Sequence, residues 1–254
     1  MNKIKINKLY EDQALEIILN DPKGNVLDGE MMSEITQAAI EEGRLSSVKV
    51  LVFRGEGEHF SFGASVPEHR KEYVAEMLAT FHKLFRTLIE ISKPMIAVVR
   101  GQCLGGGLEL AAFCHWIFAH ENAKFGQPEI KLAVFPPVAS LILPFRVGQS
   151  AADDLILSGR SISAKEAKTL GLVYSVSQNP EKECEQFIRE HILPKSRVAL
   201  EFAVKSARYH MYRTFIHNID VVEKMYVKEL MAHKDPNEGI QAFMEKRAPV
   251  WKDA

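Results

Sequence analysis

Apolar residues recur along the first hundred positions with two different periods, and the switching between them predicts short strands separated by helices. Ile4-Lys5-Ile6-Asn7 and the segment from Ala14 to Leu19 have the pattern of paired strands, and Val48 to Phe53 is a β-branched run that ends at Arg54-Gly55. Met95 to Val99 is another strand of the same kind. Between them, Met31, Ile35, Ala38 and Ala39 mark one helix, while Tyr73, Met77, Phe81, Leu84, Leu88 and Ile91 recur at three-to-four spacing and mark a longer one. That helix must stop near Ser92-Lys93-Pro94, because the Pro94 ring disfavours helical backbone at the residue before it. A short strand is expected from Trp116 to Ala119. Beyond it the chain reads as mostly helical. Ser163-Ala164-Lys165-Glu166 fits a capping box that opens a helix ending near Gly171, and further helices are predicted over about 180–191, 196–212 and 219–231, with a last one from near Asn237 to before Pro249. No linker rich in Pro, Gly or Ser divides the chain. The expectation is an α/β core over residues 1–195 and a helical C-terminal extension over 196–254, packed on the core or on a neighbouring subunit.

Two small-residue loops follow predicted strands. Phe60 to Val66 is a turn that presents backbone N–H groups rather than side chains, or simply a strand-to-helix connection. The second, Gly101 to Leu110, leaves a strand and opens an apolar helix, so its first N–H groups have no intrahelical partner and can hold an anion or oxyanion. No Gly-Lys-Ser/Thr follows, and the glycine spacing is not that of a dinucleotide site. Glu109 lies in this helix among small and apolar neighbours, which predicts a buried carboxyl with a raised pKa. Glu129, in Phe125-Gly126-Gln127-Pro128-Glu129, reads alone as a loop residue. If the two carboxyls meet beside two N–H donors, they form a site for acid–base chemistry on a carbonyl compound.

Composition narrows the setting without changing the fold. Lys and Arg number 32 against 33 Asp and Glu, interspersed along 254 residues, which argues against a nucleic-acid or anionic-membrane partner. Cys103, Cys114 and Cys184 form no CxxC pair and leave one thiol odd, as in a reducing, cytoplasmic setting without disulfides. The nine histidines show no paired ligand spacing, so no metal is expected. His69, just after the first loop, reads as a surface or helix-start residue.

The order of Phe62-Gly63-Ala64-Ser65-Val66, Lys93-Pro94, Leu104-Gly105-Gly106-Gly107-Leu108-Glu109 and Phe125-Gly126-Gln127-Pro128-Glu129 resembles the crotonase (enoyl-CoA hydratase/isomerase) superfamily. Leu157 to Ala164, Gly171-Leu172-Val173 and Glu238-Gly239 with Ala242-Phe243 extend the resemblance over nearly the whole chain. It implies a spiral of ββα units with a helical trimerisation extension, a homotrimer or a hexamer of two such trimers, an acyl-CoA substrate and no separate cofactor. By position, Ala64 and Gly106 match the family's oxyanion-hole N–H groups and Glu109 and Glu129 its two catalytic glutamates. Phe62, Ser65, Val66, Phe243 and Lys246 match segments that contact CoA. The chain departs from the common hydratases after the second glutamate. Pro137 stands where they carry a glycine whose N–H helps to hold water, and Phe135, Pro137, Val138 and Leu141 predict an apolar, bulky acyl pocket. Within the superfamily, His59 to Val66, Leu230-Met231 and Pro249-Val250-Trp251 resemble the subgroup that hydrates cyclohexa-1,5-diene-1-carbonyl-CoA. That resemblance implies 1,4-addition of water; an aliphatic 2-enoyl-CoA hydratase or isomerase is the alternative, and a non-enzymatic RNA-binding relative on the same fold is a minor one.

Overall fold

A computed structural model describes residues 1–254. In chain order the elements are β1 (Ile4–Leu9), β2 (Ala14–Leu19), α1 (Gly29–Ala38), β3 (Val50–Gly55), α2 (Val74–Ile91), β4 (Met95–Val99), β5 (Gln102–Leu104) and α3 (Gly106–Phe113). They continue with β6 (Trp116–His120), β7 (Lys124–Gly126), α4 (Pro137–Val147), α5 (Gln149–Ser158), β8 (Ser161–Ser163), α6 (Ala164–Thr169) and β9 (Ser175–Ser177). The remaining helices are α7 (Pro180–Phe187), α8 (Arg197–Ala207), α9 (Tyr209–Lys224) and α10 (Lys234–Met244).

Six strands form one sheet in the order β1-β2-β3-β4-β6-β9, antiparallel at the β1/β2 hairpin and parallel thereafter. Both faces of its centre are covered. Leu51, Phe53, Met95, Ala97 and Val99 join the main core beneath α2, whereas Val50, Val52, Ile96 and Val98 pack with Phe118, Cys184 and Ile188 on the opposite side. Double burial is why these strands read as continuous apolar runs rather than alternating ones. The second sheet, β5-β7-β8, has three residues per strand and builds the functional region.

Helix α2 ends where Pro94 requires. Ser92 takes the left-handed conformation, and the ammonium of buried Lys93 donates to the carbonyls of Gly43 and Leu45 at 2.7 and 2.6 Å. Burial pulls the Lys93 pKa down to about 8. Other expectations need correction. The Ser163 hydroxyl accepts from the Glu166 N–H, but the Glu166 carboxylate pairs with Arg160 at 2.7 Å, so only half of the capping box forms. The expected breaks at 212 and 219 are replaced by one at Arg208, whose guanidinium donates to the carbonyls of Phe113 and Cys114 and so anchors the α8–α9 junction to the core. Helix α9 continues into a wider turn over Met225–Glu229 and a tight one over Leu230–Ala232. All three cysteines are free and buried, and no helix is long and apolar enough to cross a membrane.

Candidate active site

Three extended segments lie side by side and end at one place. The parallel strands β5 and β7 pair Leu104 with Gly126, and the Gly105 N–H donates to the Gly126 carbonyl at 2.9 Å. On the other side of β5, the Ser61 N–H donates to Gln102 and the Leu104 N–H to Ser61, both at 3.0 Å. The first loop, the start of α3 and the Glu129 turn are therefore fixed by main-chain bonds along a common edge.

The first loop is pinned from behind. Its Gly63 carbonyl accepts from the Leu27 N–H and its Ser65 N–H donates to the Leu27 carbonyl, at 2.9 and 3.2 Å. In an extended segment successive N–H groups point to opposite sides. The Ala64 N–H thus faces away from Leu27 and makes no hydrogen bond within the chain. Gly106, first residue of α3, has no preceding turn to accept its N–H. The two amides are neighbours: a Cβ placed on Gly106 would lie 3.2 Å from the Ala64 nitrogen. Gly105, which sets the entry to α3, has φ +50°, and a Cβ there would stand 2.6 Å from Glu129 Oε1. Only glycine serves both the backbone angle and the close approach.

All eight residues of α3 are buried, and Glu109 with them. The carboxyl of Glu109 meets the N-terminus of α4, where the Ala139 N–H donates to Oε1 at 2.7 Å and the Val138 N–H also faces it. Burial raises the Glu109 pKa to about 7 against the opposing pull of those amides. Glu129 sits in the tight turn Pro128–Leu132 after β7. Burial, and then the neighbouring Glu109 charge, push its pKa well above the ordinary carboxylate range. With its amide nitrogen turned toward Glu129, the fully buried Gln127 donates to both carboxylate oxygens at 3.0 and 3.1 Å.

Helix α10 braces that turn from outside through Gly239, where a Cβ would fall 2.3 Å from the Leu132 carbonyl oxygen. Gly239→Ala is expected to destabilise the protein by about 1–3 kcal/mol in denaturant titrations and to lower activity by displacing the turn that carries Glu129.

Ala64, Gly106, Glu109 and Glu129 line one cavity, together with His69, Met77, Leu78, Phe81, Phe135, Pro136, Pro137 and Tyr226. The enclosed space open to a water-sized sphere is about 20 Å³. Of the expected acyl-pocket residues, Phe135 and Pro137 line it but Val138 and Leu141 do not. Val138, in the first turn of α4, is buried in the main core, and the partly buried Leu141 packs against that core. Phe62 is exposed, in edge-to-face contact with His59, and Ser65 and Val66 are half-buried beside the first loop. Phe243 and Lys246 are exposed at the end of α10 and do not line the cavity. His69 is not a surface residue. It is buried in the cavity wall, its Nδ1 bonded to the Ser65 carbonyl at 2.9 Å, and burial lowers its pKa. Tyr226 has no counterpart among the residues expected from the sequence, since an aromatic at helical spacing reads as core.

This arrangement, two buried carboxyls facing two unpaired amides, coincides with a match over residues 10–254 to the enoyl-CoA hydratase/isomerase family, to which the chain belongs. It is an enzyme of that family, with hydratase/isomerase activity on enoyl-CoA-like substrates. It is 43% identical over 243 residues to the cyclohexa-1,5-dienecarbonyl-CoA hydratase of Thauera aromatica, covering 96% of this chain and 94% of that one. The 2,3-dehydroadipyl-CoA hydratase of Escherichia coli is 32% identical, with 95% and 96% covered. Among solved structures, the enoyl-CoA hydratase of Bacillus anthracis superposes with a TM-score of 0.76 at 29% identity, over 99% of this chain and all of that one.

Proposed function

We propose that the protein adds water to the conjugated double bond of an acyl-CoA thioester, Glu109 and Glu129 being the catalytic pair. The observation that carries this reading is the unequal environment of two carboxyls in one cavity. Glu109 accepts from main-chain N–H groups at the start of α4, which favour its carboxylate form and suit it to take the proton from water. Glu129, whose pKa burial and the neighbouring Glu109 charge push up, is the acid that gives its proton to carbon. The Ala64 and Gly106 N–H groups polarise the thioester carbonyl and hold the enolate oxygen. Phe62, Ser65, Val66, Phe243 and Lys246 serve the CoA moiety. Hydration leaves the oxidation level unchanged, so the reaction requires no further cofactor. An acyl group exceeds the enclosed space, and its entry requires side chains such as the flexible Met77 to turn aside. Exposed apolar residues on α8 and α9, including Val198, Phe202 and Val221, support the homotrimer or hexamer that the family resemblance implies.

The acyl group we assign is cyclohexa-1,5-diene-1-carbonyl. Hydroxyl adds to the carbon β to the thioester and the proton to the far end of the diene, giving 6-hydroxycyclohex-1-ene-1-carbonyl-CoA. The Thauera relative and the Pro136-Pro137 wall beside the glutamates support this assignment. The Escherichia coli relative favours a second reading, an aliphatic 2-enoyl-CoA. The two separate when both thioesters are offered to the purified protein and hydration is followed by mass spectrometry. The cyclic diene is expected to have a kcat/KM at least about tenfold above that of crotonyl-CoA, the scale on which pocket shape discriminates. Comparable turnover of crotonyl-CoA assigns the aliphatic substrate, and hydration of neither overturns the hydratase reading.

A further inference from the structure

The phenol of Tyr226 is fully buried in the wall of the cavity that holds Glu109 and Glu129, and its hydroxyl has no hydrogen-bond partner in the chain. Its ring is fixed edge-to-face on Phe135 at 5.2 Å between centroids. A buried hydroxyl without a partner costs stability, and removing it would leave a phenylalanine that fills the same space. An orphan hydroxyl in a site with two titrating carboxyls calls for a guest that completes its bonding.

The groups around it show which guest. About 20 Å³ is room for one water, which needs two to four polar partners. Glu109 and the unprotonated oxygen of Glu129 can accept its two O–H bonds. One lone pair must face the carbon under attack, and the other needs a donor. Pro136 and Pro137, which form the wall beside the glutamates, have no N–H to give. The Ala64 and Gly106 amides belong to the thioester oxygen. His69, with Nδ1 donating to Ser65, presents Nε2 only as an acceptor. Tyr226 is the donor that remains.

We infer that Tyr226 is a catalytic residue whose hydroxyl donates a hydrogen bond to the oxygen that is added to, or removed from, the substrate; the inference rests on the hydratase reading. As the C–O bond forms, one water O–H passes its proton to Glu109, the carbon skeleton receives the proton of Glu129, and Tyr226 keeps its own proton throughout. The turn over Met225–Glu229 thereby brings a residue from the C-terminal part of the chain to the reacting atoms.

Tyr226→Phe tests this in two ways. Its kcat is expected to fall ten- to a hundredfold while the thermal midpoint stays level or rises, because the deleted hydroxyl had no partner. Binding supplies a readout that a structural role would not move. The affinity for 3-hydroxybutyryl-CoA is expected to fall about tenfold, whereas that for butyryl-CoA, which lacks the oxygen, is unchanged. Unimpaired hydration by Tyr226→Phe, or equal losses for the two ligands, overturns the inference alone. Absence of hydration by the unaltered protein, with both the cyclic diene and crotonyl-CoA, overturns the hydratase reading and this inference with it.

Discussion

Glu109→Gln is expected to lower kcat by about a hundred- to ten-thousandfold, the usual worth of a positioned general base, while making the protein harder to unfold at pH 8. The two effects have one cause. Burial raises the Glu109 pKa to about 7, so between the ordinary carboxylate range and that value the folded chain holds a proton that the unfolded chain has released. Stability therefore falls as pH rises through this window, and the loss is complete above it. At about 1.4 kcal/mol per pKa unit, the cost at pH 8 is on the order of 3 kcal/mol. Glutamine removes the charge but keeps an oxygen to accept from Ala139. Thermal melts at pH 8 and pH 4 should show the variant stabilised at the first and close to the unaltered protein at the second. The unaltered enzyme's kcat/KM should climb as pH approaches about 7, where Glu109 ionises, and decline at higher pH as Glu129 loses its proton. A Gln variant with near-normal turnover would remove Glu109 from the reaction.

What could be read from the sequence was what local chemistry dictates. The β3 and β4 runs, the stop at Pro94 and the glycine loop before Glu109 each depend on residues a few positions apart. Glu109 stood out because its helix offers no polar surface, and the structure buries that helix on every side. The strands β5, β7, β8 and β9 leave no mark in the sequence because three residues carry no period. Helix α4 is hidden by its prolines: Pro136 and Pro137 open it and Pro144 lies within it. With Pro137 as the helix start, the Val138 N–H faces Glu109, while its side chain is absent from the wall of the enclosed cavity. His69 and Tyr226 lie 157 positions apart and meet only in the folded cavity. A histidine after a loop and a tyrosine at helical spacing carry no local signal of that meeting.

Gly106→Pro is expected to keep the fold and lose about a hundred- to a thousandfold in kcat, the measured scale for deleting one oxyanion donor. Gly106 is the first residue of α3, the position where proline's fixed φ suits a helix and its missing N–H removes no intrahelical bond. The flanking Gly105, with φ +50° and ψ −128°, has no side chain to clash with the new ring. The substitution therefore removes the N–H from the cavity and sets the ring Cδ where that hydrogen pointed. It also adds a Cβ 3.2 Å from the Ala64 nitrogen and 3.3 Å from Phe81 Cζ, which is tight. Gly106→Ala introduces the same Cβ and keeps the N–H, so the ratio of the two variants removes the Cβ crowding and reports the exchange of the N–H for the ring Cδ at the oxyanion position. Circular dichroism and the thermal midpoint establish that both are folded. A proline variant no slower than the alanine one would mean that the thioester oxygen is held elsewhere. A large ratio with KM little changed would place the Gly106 amide where charge develops in the transition state rather than where the ground-state carbonyl rests.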